Sequence, residues 1–349
     1  MELVISHESA LELFERRRFE RLGDERIPYL PSRGLGATEI QEALAGSRSP
    51  RSEEIARVLR LTGLSLPLHV SVARAAERFT GRGITCHVWR APVSEGALMR
   101  VAPGVLAFTP PWALAQIAQD ADVVTLALEV CLVCGTFARR NARDVRPDDD
   151  GERSLLCNLP RVCRVEEIVE LAERLMAARI RGGRRLAEAA ACALDGSNSP
   201  AESRVAMLLS ASRRRGGFGL RGLRLNEPVE LDETGASLLG RRTMRPDILL
   251  PSGDACEFDS KTWHATEDAH ERDALRREAL SASGYVPHTI TSGQVRDLRL
   301  LSALAAQLAK RQGMRCRPPS ERMLEARAML HRALFPFGSL PLFGGHARW

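Results

Sequence analysis

Arg245-Pro246-Asp247-Ile248-Leu249-Leu250-Pro251, followed by Cys256-Glu257-Phe258-Asp259-Ser260-Lys261, is the stretch that decides how this chain is read. Ser252-Gly253-Asp254 between the two runs supplies turn chemistry, and the flanking residues favour strands, so the segment predicts a β-hairpin. Side chains alternate faces along a strand, which puts Glu257, Asp259 and Lys261 on one face. Asp247, at the head of the first strand, can close the cluster. Two or three carboxylates at that spacing make a hard, oxygen-lined site suited to Mg²⁺ or Mn²⁺. A nearby lysine can orient or deprotonate water, or steady a phosphate. The candidate metal ligands are therefore Asp247, Glu257 and Asp259, with Lys261 beside them.

Working outward, Ser199-Pro200-Ala201-Glu202 opens a helix with Ser at the N-cap, Pro at N1 and Glu at N3. Capping alone accounts for Glu202 there. The helix runs to about Ser212, and Arg213-Arg214-Arg215-Gly216-Gly217-Phe218-Gly219 makes a basic turn. Leu223–Leu231 is expected as a strand ahead of the hairpin, then Ala269–Ala282 as a helix closed by Gly284. Tyr285–Ile290 reads as a last strand, which Pro287 confines to an edge or a bulge. The order helix, three strands, helix, strand predicts an α/β fold with an αβββαβ core at the C-terminus.

Upstream, residues 7–22 read as an amphipathic helix, and Pro28, Pro31, Gly34 and Gly36 break the chain into a loop. Thr38–Leu44 and Ser52–Leu61 read as short packing helices rather than a helix-turn-helix. Leu68–Val72, Ile84–Trp89 and Val105–Phe108 alternate like strands, and Trp112–Gln119 and Val123–Phe137 read as helices. The polar segment 139–155, with Asp148-Asp149-Asp150, is expected to be a mobile loop or linker. Helices follow at Val165–Ile180 and Arg184–Leu194. The expected organisation is a mixed α+β domain over 1–150, a helical connector over 151–195, the αβββαβ domain over 196–315, and a C-terminal helix and tail over 316–349.

The chain has 349 residues, enough for two cores, and no charge-free apolar run long enough for a bilayer. Met1-Glu2-Leu3-Val4 lacks the layout of a signal peptide, and the eight scattered cysteines read as reduced thiols, so a cytoplasmic location is expected. Cys131-x-x-Cys134 lies in an apolar helical run, where thiols pack as small hydrophobes, which argues against zinc. The net charge of +6 mildly favours an anionic partner. Of 50 basic residues only Lys261 and Lys310 are lysines, and one of these two falls in the acidic strand.

Residues 196–297 resemble the PD-(D/E)xK nuclease superfamily, and within it the Vsr-like (very-short-patch-repair) domains of restriction-endonuclease-like fold. The matching pieces are Ser199-Pro200-x-Glu202, Gly216-Gly217-Phe218-Gly219-Leu220, Leu225-Asn226 and Pro246-Asp247-Ile248-Leu249-x-Pro251. They continue with Glu257-Phe258-Asp259-Ser260, His264, and Asp273-x-x-Arg276-x-x-x-Leu280-x-x-x-Gly284-Tyr285. More slightly, Val105–Phe137 resembles the region preceding such domains in relatives of abortive-infection type IV antitoxins.

The resemblance implies Mg²⁺-dependent hydrolysis of DNA phosphodiester bonds, in phage defence or a mobile element. By it, Asp247 and Asp259 are metal ligands, and Glu257 is a third ligand or orients water. Glu202 would reach the metal directly or through water. Lys261 fits the literal motif at a position where these relatives often lack lysine. His264 is an acid/base, a phosphate contact or a packed strand end. Arg213, Arg214, Arg215, Arg241, Arg242 and Arg245 would grip the nucleic-acid backbone. Arg276 would face the scissile phosphate, or pair structurally with Asp273 one helical turn away. The other functional expectation is a catalytically silent regulator that keeps the nuclease fold, antitoxin-like or nucleic-acid-binding, with a protein partner through the N-terminal half.

Overall fold

The computed structural model describes residues 2–20, 35–45, 52–139, 155–259, 267–315 and 318–336. Lys261, His264 and the Asp148–Asp150 run lie outside the described residues. The chain divides into two compact units, one of Met1–Val133 with Leu159–Ala190, the other of Cys134–Asn158 with Ala191–Trp349. The stretch expected as a connector is thus shared, its helical part counting with the first unit.

The first unit comprises β1 (Leu3–Ile5), α1 (His7–Glu20), α2 (Ala37–Ala45), α3 (Ser52–Thr62), β2 (Leu68–Val72), β3 (Ile84–Val88), β4 (Leu98–Ala102) and β5 (Val105–Phe108). It continues with α4 (Pro110–Ile117), α5 (Val123–Cys134), α6 (Val165–Ala177) and α7 (Gly183–Ala190). The strands form a mixed sheet in the order β3-β2-β1-β5-β4, with β1 parallel to β5 and antiparallel to β2. Ile5, Leu68, Leu98, Leu106 and Phe108 fill the core around this sheet. α4 is buried almost throughout, as its sequence PPWALAQI, apolar except for Gln116, requires. Trp112 on α4 and Trp89 after β3 meet edge to face at 6.2 Å. Cys131 and Cys134 are buried in α5.

Parallel pairing of β2 with β3, and the position of β1 beside β2, gather three histidines that are remote in sequence. The rings of His7 and His87 stack at 3.5 Å, and those of His69 and His87 lie 5.1 Å apart. His69 Nδ1 is 2.9 Å from Glu8 Oε2 and 3.1 Å from His87 Nε2. His7 has a φ of 49°, a left-handed conformation unusual for a bulky residue. Its backbone N–H donates to Gln116 Oε1 at 3.2 Å, which holds it there.

The second unit comprises β6 (Ala138–Arg139), β7 (Leu155–Leu156), α8 (Pro200–Ser210), β8 (Arg224–Leu225), β9 (Val229–Glu230), α9 (Glu233–Leu239) and β10 (Thr243–Met244). Then come β11 (Ile248–Leu249), β12 (Asp254–Asp259), α10 (Glu267–Ala282), β13 (Val286–Thr291), α11 (Ser292–Arg296), α12 (Leu298–Arg311) and α13 (Glu321–Leu334). A four-stranded mixed sheet has the order β13-β12-β11-β8. β11 is antiparallel to both β8 and β12, while β12 and β13 run parallel across the α10 crossover. The hairpin expected around Ser252-Gly253-Asp254 is present, with Gly253 at φ 79° and Leu250 N–H donating to Asp254 O at 2.9 Å.

β13 is an edge strand, so Pro287 can lie within it at little cost in ladder bonds. The strand expected over Leu223–Leu231 is divided instead. Asn226 adopts φ 52° and ends β8, and the chain resumes beyond Pro228 as β9, which pairs with β10. Val229, Met244, Leu249, Ala255 and Leu280 form the apolar core on the face that α10 covers. Among the described residues no helix is long and apolar enough to cross a membrane.

Burial, then the neighbouring histidine, hold His7 down to about 3 and His87 down to about 4, against the pull of Glu8. Asp120 also favours a proton on His87, and Arg78 opposes it. Both rings are therefore neutral in the folded state at pH 5, whereas unfolded imidazoles begin to take protons below about 6.5. The unfolded chain binds more protons in that window, so stability is full above it and falls as pH drops from 6.5 toward 4. The expected loss is roughly 2 kcal/mol, allowing for partial exposure. Denaturant unfolding of wild type and His87→Gln between pH 7.5 and 4.5 measures it, and the variant's loss should be smaller.

Candidate active site

Ser199 caps α8, its Oγ accepting the N–H of Glu202 at 3.2 Å. The helix is buried from Ala201 to Leu209, so Glu202 enters the interior with it. Glu202 Oε2 accepts from the backbone N–H of Asn198 at 2.9 Å and from Asn226 Nδ2 at 2.7 Å. The same Nδ2 donates to Gly196 O at 3.1 Å. Capping explains the backbone end of Glu202, and Asn226 gives its carboxylate a second use.

The sheet places the remaining acids. Ile248 pairs with Cys256 on one side and Leu225 on the other. Continuing that register by one residue, away from the hairpin turn, sets Asp247 beside both Glu257 and Asn226. The N–H of Asn226 donates to Asp247 O at 3.2 Å, as that register requires. Asp247 Oδ2 accepts the N–H of Phe258 at 2.7 Å. Both oxygens of Glu257 accept from Arg276 Nη2, at 2.9 and 2.7 Å. Arg276 precedes the buried Ala279 and Leu280 by about one turn of α10, so packing of that helix delivers the guanidinium to the sheet.

The electrostatics are those of too much negative charge in too little water. Burial and then the charge of Asp247 push Glu202 up to about 7, against the N–H groups it accepts. Burial and then Asp247 also push Glu257 up to about 7, with Arg276 pulling the other way. Asp247 itself is raised by burial, opposed by the Phe258 N–H and Arg276. Three carboxyl groups thus share one neighbourhood in which full ionisation is costly at neutral pH.

Of the residues read from the sequence, the structure brings together Glu202, Asp247, Glu257 and Arg276. Asp259 ends β12, half-buried and two residues beyond Glu257, hence on the same side of the strand. Helical spacing suggests Asp273 as partner of Arg276, and the structure shows the guanidinium reaching across to Glu257. Arg213–Arg215 form a 3₁₀ turn in which Arg214 and Arg215 are exposed, as is Arg245. Arg215 Nη1 lies 3.5 Å from Cys192 Sγ. Among the described residues, no group of three or more His, Cys, Asp or Glu side chains is placed so that it could hold a metal ion. Asn226 has no role in the sequence reading beyond its place in Leu225-Asn226. Only the fold shows that its left-handed turn aims an amide at Glu202.

No protein-family model, curated protein or solved structure matches this chain.

A carboxyl raised in the folded state contributes stability that is complete below its unfolded pKa and is lost as pH rises through the folded value. For Glu202 and Glu257 that window runs from about 4.5 to about 7. Asp247→Asn keeps an oxygen for the Phe258 N–H while removing the charge both glutamates oppose. Unfolding of this variant should cost about 1 kcal/mol more than wild type at pH 8, with the gap closing by pH 5. Chemical denaturation at the two pH values is the check, and an unstabilised variant at pH 8 would mean that the three acids are not coupled.

Proposed function

We propose that the second unit is a divalent-cation-dependent nuclease that hydrolyses DNA phosphodiester bonds, with Asp247, Glu257 and Asp259 holding the cation and Glu202 behind them. The observation that carries this reading is the trio of buried Glu202 and half-buried Asp247 and Glu257, all raised, with the Arg276 guanidinium on Glu257. The donor set is all oxygen and has surplus negative charge, which suits a hard divalent ion and lets every carboxyl ionise at neutral pH. Bound there, Mg²⁺ or Mn²⁺ would supply a Lewis acid and a water of lowered pKa.

The chain's own residues do the positioning. Asn226 and the Asn198 N–H fix Glu202, the Phe258 N–H fixes Asp247, and Arg276 offsets part of the charge on Glu257. Arginines such as Arg245 and Arg214 are exposed and available to a phosphate backbone. The element order α8, β8, β11, β12, α10, β13 supports a restriction-endonuclease-like αβββαβ core, with the β9–α9–β10 excursion inserted after its first strand. The Vsr-like motif series adds to that reading, and the antitoxin-like stretch Val105–Phe137 suggests a defence or mobile-element setting with a protein partner.

A second reading, a catalytically silent regulator on the same fold, has one specific support. Arg276 takes both oxygens of Glu257, where a cation would also bind.

Plasmid nicking with Mg²⁺ or Mn²⁺ separates the two. Wild type should nick, and Asp247→Ala or Asp259→Ala should lower the rate by at least 100-fold, the scale expected when an essential metal ligand is lost. Lys261→Ala should only slow it. Millimolar Mg²⁺ should raise the melting temperature of wild type and leave that of Asp247→Asn unchanged. No cleavage of any nucleic acid by wild type, or full activity in Asp247→Ala, would leave the regulator as the reading.

A further inference from the structure

A cavity of about 1020 Å³ opens at the other end of the β11–β12 hairpin. Its walls include the side chains of Arg213, Arg221, Arg311 and Arg315, with Ser252 and Gln312 among the polar groups between them, and no Asp or Glu lines it. Three residues of strand, about 10 Å, separate the hairpin turn from Asp247 and Glu257, so this basic cavity and the acidic cluster are different places.

The cavity is built rather than incidental. Asp254, fully buried at the start of β12, accepts from Arg311 Nε and from His288 Nε2 at 2.7 Å, and Ser252 Oγ donates to it at 2.5 Å. Burial alone would raise Asp254, but those three partners overcome it and hold the carboxyl below its usual range. Arg311 is thereby anchored at the end of α12. The loop carrying Arg221 is tied to the next residue: Gln312 Nε2 donates to Arg221 O at 2.8 Å, and Arg221 N–H donates to Gln312 Oε1 at 3.4 Å. Gly222, at φ 68°, lets this loop approach the hairpin, since a Cβ there would sit 2.6 Å from Pro251 Cγ. Asp254 engages Arg311 from behind the wall, so Arg213, Arg221 and Arg315 leave a surplus of about three positive charges on it.

We propose that this cavity is a phosphoanion site, binding the phosphates of either a nucleic-acid strand or a free nucleotide-type polyphosphate. Guanidinium groups present forked N–H donors matched to phosphate oxygens, and the volume suffices for several phosphate units. The assignment does not require that the acidic cluster cut anything.

The test uses the full chain in EDTA, with a fluorescein-labelled 20-nucleotide single strand followed by anisotropy at 50–200 mM salt. Unlabelled tripolyphosphate serves as competitor. Arg221→Ala/Arg315→Ala should weaken strand binding at least tenfold and flatten the log–log salt slope by about 1.5. Arg221→Lys/Arg315→Lys should recover much of the loss, and an unchanged melting temperature shows that the variants fold. Arg315→Glu is a single-site alternative with the same expected direction. If tripolyphosphate displaces the strand at equal phosphate concentration, and the alanine variant loses both ligands, the site takes free polyphosphate. If tripolyphosphate does not compete, the site takes the strand. Wild type that binds neither probe, or an alanine variant with unaltered affinity and salt slope, overturns the proposal.

Discussion

Crowding of three buried or half-buried carboxyl groups, with Arg276 on one of them, is the constraint on which the second unit is organised. Glu202 comes from a helix with no exposed face, and Asp247 and Glu257 from neighbouring strands of the sheet. Each is held by donors that the backbone or a single side chain supplies: the Asn198 and Phe258 N–H groups, Asn226 and Arg276. These donors favour the charged forms, yet desolvation and mutual repulsion still leave Glu202 and Glu257 near 7. A core designed only for stability would use apolar residues there, because isolated buried charge costs more than its hydrogen bonds return. The arrangement makes physical sense if a positive ligand completes it.

The hairpin also separates charge along its length. Its open end carries the acidic cluster, and its turn lies beside Arg221, Arg311 and Arg315. Asp254 links the turn to this basic end. It is as deeply buried as any residue in the unit, but with Arg311, His288 and Ser252 around it the carboxyl is lowered, not raised. Two acids on one short strand, Asp254 and Glu257, are thus driven in opposite directions by what surrounds them. Partner count decides the sign: Asp254 has a nearby cation and two further donors, while Glu257 has one cation and an opposing carboxylate.

Much of this was legible in sequence because it depends on short-range geometry. Turn residues and strand alternation gave the hairpin, and a capping pattern gave the start of α8. Pro287 gave the edge strand, and Asp247 and Glu257 followed from the pairing. What was not legible depends on long-range packing or on a single dihedral. Asn226 reads as a strand residue until its left-handed φ ends β8 and turns its amide toward Glu202. Arg276 reads as a helical partner of Asp273, three residues away, and its contact with Glu257 depends on tertiary packing. The histidine cluster joins residues 7, 69 and 87 through strand pairing that no local pattern announces. β1 is only three residues long, and β4, though as long as β2 and closed by Pro103-Gly104, has no place as a strand in the sequence reading.

Arg276 is the residue on which the two functional readings meet. Its guanidinium neutralises Glu257 as a cation would, with two charge-assisted bonds from a half-buried position. It cannot neutralise the whole cluster. Three ionised carboxylates against Arg276 would leave about two negative charges, and burial, then the charge of Asp247, raises Glu202 and Glu257 against that state. A scaffold that had lost its ligand would be free to replace Asp247 or Glu202 with neutral residues and gain stability. All three carboxyls are present here, with the half-buried Asn226 amide committed to Glu202, an arrangement that a positive ligand would complete.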